Sequence, residues 1–124
     1  MRQALTTDKA PRPGGAYSQA IVEGDLIYLA GQVPANPETG DLELGDIRSQ
    51  TARVLENMRL ILEAAGSSLD NVIRCTVYLK DIGDFAAMNE VYAASFRAPY
   101  PARTTVQVVL ARGMGVEIDC IAKR

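Results

Sequence analysis

Apolar and polar positions alternate with period two along two stretches near the C-terminus. From Arg103 to Leu110 the even positions are Thr104, Val106, Val108 and Leu110, and the odd ones are Arg103, Thr105, Gln107 and Val109. This is the pattern of a half-buried strand, with the even set expected on the core face. Past Ala111–Gly115 the alternation repeats: Val116, Ile118, Cys120 and Ala122 are apolar, and Glu117 and Asp119 fall on the other face. Gly113 and Gly115 permit a tight return, which predicts a hairpin folded near Gly113. In that hairpin Arg103 and Glu117 share the non-core face about six residues apart, or roughly 20 Å at ~3.3 Å per residue. Such a spacing keeps them from one small ligand within a hairpin. Either they serve separate purposes, or they meet across an interface between copies of the chain.

The rest of the chain reads in the same terms. A Pro/Gly loop, Ala10–Ala16, precedes two strands, Tyr17–Val22 and Leu26–Gln32, around the turn Glu23-Gly24-Asp25. Gly31 near the end of the second strand marks either a bulge or a close approach to the backbone. After a second loop at Val33–Gly40 the period becomes helical. Ile47, Thr51, Val54, Leu55, Met58, Ile61, Leu62 and Ala65 form one stripe, with Asp46 as N-cap and Gly66 as the stop. Val72–Lys80 reads as a strand with Ile73, Cys75, Val77 and Leu79 inward. Asp84 is placed to cap a second helix with the stripe Phe85, Met88, Tyr92 and Phe96, and Asn89 lies at its border, where an exposed helix residue is the simplest reading. The order strand, strand, helix, strand, helix, strand, strand predicts an α+β domain with a mixed sheet and both helices on one face. The uncovered face, expected to carry Arg103, Thr105, Gln107, Val109, Glu117, Asp119 and Ile121, is mixed in polarity, which suggests burial against other copies.

Composition narrows the function. At 124 residues the chain is expected to be one domain, 1–124, and no apolar run approaches the length needed to span a bilayer. Met1–Thr7 lacks the apolar centre of a secretory signal, so a cytoplasmic location is expected. A net charge of -2, without a basic cluster, argues against nucleic acid as the main partner and against a nuclease. The chain contains no histidine, which excludes Ser-His and Cys-His nucleophile pairs and the usual zinc sites. Chemistry is left to carboxylates, Arg, Lys, Tyr, hydroxyls, backbone amides and water. Cys75 and Cys120 both fall on apolar strand faces and read as buried free thiols.

Nearly the whole chain resembles the Rid (reactive intermediate deaminase) or YjgF family. The matching pieces include Gly15-Ala16-Tyr17-Ser18-Gln19-Ala20, Gly31-Gln32-Val33-Pro34, Thr76-Val77-Tyr78-Leu79-Lys80-Asp81, Val91-Tyr92, Pro101-Ala102-Arg103 and Glu117-Ile118-Asp119. The resemblance implies a chorismate-mutase-like fold assembled as a homotrimer, with sites between subunits. It implies hydrolysis of reactive enamine and imine intermediates, such as 2-aminoacrylate and 2-iminobutyrate, to 2-oxo acids and ammonia without metal or organic cofactor. Residue by residue, it implies that Arg103 holds the substrate carboxylate and that Glu117 activates water. Tyr17, Gly31, Asn89 and Thr105 would line the pocket. The chain departs from the family pattern at Ala16, Ala30, Thr104-Thr105 and Ala111, so Thr105 offers a hydroxyl where many members have a thiol. Two alternatives remain open here: a non-catalytic trimer that binds small carboxylates as a sensor or holdase-like protein, and a pathway-specific deaminase of a larger imine acid.

Overall fold

In the computed structural model, which describes all 124 residues, six strands form one mixed sheet and two helices lie against it. The strands are β1 (Gln3–Leu5), β2 (Ala20–Glu23), β3 (Leu26–Gln32), β4 (Val72–Leu79), β5 (Ala102–Gln107) and β6 (Val116–Lys123), in the spatial order β1-β2-β3-β6-β4-β5. Only β4 and β5 run parallel; the other neighbours are antiparallel. Helix α1 (Ile47–Ala64) packs over β3 and β6, and α2 (Phe85–Ser95) packs beside it on the same side. The α+β class and the placement of both helices on one face agree with the sequence pattern.

The helix ends follow local chemistry. Asp46 accepts a hydrogen bond from the Ser49 amide and satisfies one of the free donors at the start of α1. At the other end Gly66 takes φ +79°, and the amides of Gly66 and Ser67 donate to the carbonyls of Glu63 and Leu62, a Schellman ending that only a residue at ease with positive φ closes cheaply. Asp84 occupies the position before α2 but makes no side-chain capping bond; Asp81 instead accepts from the Gly83 amide in the short turn that leads into the helix.

Four expectations are corrected. The C-terminal hairpin does not form, because β6 inserts between β3 and β4 and β5 goes to the sheet edge beside β4. The physical reason lies in the two patterns: Val116, Ile118, Cys120 and Ala122 are all buried and fit a central strand, whereas the Arg-Thr-Thr-Val-Gln run of β5 fits an edge. The parity of β5 is therefore inverted as well. Arg103 and Thr105 pair with the buried Cys75 and Val77 and share their helix side, while Thr104 and Val106 pair with Thr76 and Tyr78 on the open side. Alternation reports two different environments, but not which of them is the chain's own core.

In β4 a bulge between Val72 and Arg74 places Val72 inward and leaves Ile73 exposed. Finally, β2 begins at Ala20 rather than Tyr17. The buried Gln19 side chain accepts from the Thr7 amide and donates to the Pro11 carbonyl, which holds residues 7–18 as a folded loop instead of extending the strand. The short β1 carries too few residues to show a period and has no counterpart in the sequence pattern.

Candidate active site

Arg103 leaves β5 on the helix side and reaches under α2. Its NH1 donates to Asn89 Oδ1 at 2.8 Å, and its guanidinium carbon lies 4.6 Å from the centre of the Tyr92 ring and 5.3 Å from that of Phe85. It takes part in none of the chain's ion pairs. A half-buried guanidinium with no carboxylate partner has spare donors, and its planar fork matches a carboxylate. Those donors border an open cleft of about 370 Å³ lined by Asn89, Tyr92, Ala93, Tyr100, Pro101 and Arg103. Thr105 lies two residues along on the same side of β5, half-buried, and does not line this cleft.

Glu117 stands elsewhere. It pairs with Tyr78 on the open side of the sheet, half-buried, one strand removed from β5. Burial, and then the negative charge of Asp119, push its carboxyl above the usual carboxylate range. Asp119 on the same face accepts a hydrogen bond from the Tyr78 hydroxyl at 2.8 Å. The Glu117 carboxylate lies directly over Gly31, so close that a methyl group on Gly31 would overlap it. Gly31 falls in the irregular stretch between Leu29 and Gln32 where β3 shifts register against β6. Both readings of this glycine thus hold at once: it sits in a bulge, and it admits a close neighbour.

Tyr17 and Gly31 share a second, smaller hollow with Pro11, Arg12, Pro13, Gln19, Gln32 and Val33. Tyr17 is exposed, and its hydroxyl accepts from the Gly14 amide at 3.0 Å. The six residues singled out in the sequence therefore separate into two groups within one chain. Arg103 and Asn89 are together on the helix side, and Glu117 and Gly31 on the open side with Tyr17 nearby; Thr105 joins neither. Phe85, Tyr92 and Tyr100 were missed as site residues. The first two carried a signal, since Phe85, Asn89 and Tyr92 are spaced i, i+4, i+7 and so occupy one stripe of α2.

The thiols are not part of either group. Cys75 and Cys120 are buried, unbonded and directly opposite each other on β4 and β6. Burial pushes Cys75 up to about 11 and raises Cys120 as well, which keeps both protonated at neutral pH.

The family model described as Endoribonuclease L-PSP matches residues 7–124. A RutC family protein of Pyrococcus horikoshii is 52% identical over 123 residues, covering 98% of each chain. The rat protein named 2-iminobutanoate/2-iminopropanoate deaminase is 41% identical over 123 residues, covering 98% of this chain and 90% of that one. Among solved structures, that of RidA from an Antarctic Psychrobacter superimposes with a TM-score of 0.94 at 46% identity, covering 98% of this chain and 99% of the other.

Proposed function

The chain belongs to the Rid (YjgF) family, and from that premise we propose that it hydrolyses 2-imino acids, and the enamines that tautomerise to them, to 2-oxo acids and ammonia. The observation that carries this reading is Arg103: a half-buried, orientated guanidinium with unused donors beside an open cleft. It would bind the substrate carboxylate. Glu117, with its raised carboxyl, would take a proton from the water that attacks the C=N carbon and return it to the nitrogen, so that the carbinolamine collapses to the 2-oxo acid and releases ammonia. Because Arg103 and Glu117 lie on opposite sides of the sheet, the proposed site is completed by a second copy of the chain, in a homotrimer with clefts between subunits. Val106 and Tyr28, exposed on or beside the open face, supply apolar surface for such a contact.

The test is direct. Threonine dehydratase acting on threonine generates 2-iminobutyrate in situ, and the chain should accelerate formation of 2-oxobutyrate. Arg103→Lys should lose about 1–3 kcal/mol of transition-state stabilisation, because a point charge cannot grip two oxygens. No acceleration by the wild-type trimer would leave a carboxylate-binding protein without turnover. The same preparation incubated with RNA should give no cleavage, as expected from a net charge of -2 and a chain without histidine.

A further inference from the structure

We propose that Phe85 and Tyr92 are positioning residues for Arg103: an aromatic cradle on α2 that fixes the guanidinium so that its free donors face the cleft. The proposal rests on the carboxylate-anchor role given to Arg103 above. Three residues of α2 at i, i+4 and i+7, Phe85, Asn89 and Tyr92, all touch the guanidinium, two by their ring faces and one by an amide oxygen. A single hydrogen bond at 2.8 Å leaves an arginine head free to swing about that contact, whereas two rings at 4.6 and 5.3 Å restrict its plane. Asn89 occupies one of the five donors of the guanidinium, and the rings occupy none, so the fork remains available to an anion.

Core packing does not account for the position of Phe85. Phe85 is 38% exposed and stands outside the buried core cluster, so its place over Arg103 is not explained by burial. Tyr92 is buried at 3% exposure within the core cluster, with its hydroxyl beside the Cys75 thiol, so its ring serves the core and the cation at once. What the two side chains share is a ring face turned to one cation. Sequence patterning assigns both to the apolar stripe, which hides the second use.

Steady-state kinetics on 2-iminobutyrate generated in situ, with the trimer verified by sizing, test the cradle. Phe85→Leu should raise KM by about fivefold and Tyr92→Leu by up to about thirtyfold, with kcat changed less than twofold. Tyr92→Phe keeps the ring and should restore a near-native KM. A cradle that acts on the anchor must show this split and this rescue. Unchanged KM in Phe85→Leu and Tyr92→Leu, or a loss in kcat with KM unmoved as expected from lost folded protein, would overturn the proposal. If Tyr92→Leu does not fold, Phe85→Leu decides alone, since its side chain is outside the core. Failure of the underlying reading looks different: Arg103→Ala would then keep its turnover, whatever the ring variants do.

Discussion

Arg103 and Glu117 project from opposite faces of the same sheet. Arg103 pairs with Cys75 on the helix side of β4, and Glu117 pairs with Tyr78 on its open side, so the sheet itself separates the proposed anchor from the proposed base. Within one chain no rotamer change brings them to one substrate. Each of the two groups has its own local support: rings and an amide for Arg103, and a glycine backbone for Glu117.

Gly31→Ala should cost activity rather than folding. The new methyl would displace only the end of the flexible Glu117 side chain, and Gly31 is not among the residues with positive φ, so the backbone accepts alanine. A carboxylate moved by about 1 Å from the reacting atoms costs on the order of 10²-fold in rate. The expected result is a drop of that size in kcat for 2-iminobutyrate, with an unchanged melting temperature. Full activity would mean that the Glu117 position over Gly31 is irrelevant to turnover.

The acid limb of the pH–rate profile should lie above the usual carboxylate range, because the Glu117 carboxyl is raised by burial first and by Asp119 second. Asp119→Asn removes the second cause and should move that limb to lower pH. Stability responds in the matching direction. A carboxyl raised in the folded state holds more protons there than in the unfolded chain, so its ionisation lowers stability as pH rises from the unfolded value through the folded one. Glu117→Gln should therefore melt at a higher temperature than wild type at neutral pH, and the advantage should fade below the ordinary carboxylate pKa. A melting temperature unaffected at both pH values would contradict the raised carboxyl.

Cys75 and Cys120 should be dispensable for turnover. Each is buried and held as the thiol, and replacement by alanine should cost about 1 kcal/mol of stability from lost apolar volume. A thiol-blocking reagent should leave native protein active. Loss of activity without unfolding would place a thiol in the reaction.

The element types were legible wherever one face of an element is buried by its own chain. The 18-residue helix α1, with its Asp46 cap and Gly66 ending, and the strand Leu26–Gln32 coincide with their hydrophobic patterns. What failed was pairing. The apolar face of Val116–Ala122 against the polar run of Arg103–Gln107 marks one strand as central and the other as edge, but the turn with Gly113 at φ +76° fits a hairpin as well as a crossover, so the pattern does not name the partners of β6. The inverted parity of β5 has the same origin, because Val106 on an open edge and Val77 in the core produce the same period. The site was legible as residue types: one arginine and one glutamate on strands consecutive in the chain, without histidine. Their relative placement depended on strand order, and the ring contacts to Arg103 were concealed because Tyr92 also satisfies the apolar stripe of α2.

The most direct measurement of the central claim, that two copies of the chain complete one site, is complementation between two inactive variants. Arg103→Ala and Glu117→Gln are each refolded alone and then unfolded and refolded together in equal amounts, with trimer formation followed by sizing. With sites shared between subunits, roughly a quarter of the clefts in randomly assorted trimers receive both intact residues, so activity on 2-iminobutyrate should reappear in the mixture only. A mixture of well-formed trimers as inactive as either variant alone would contradict it.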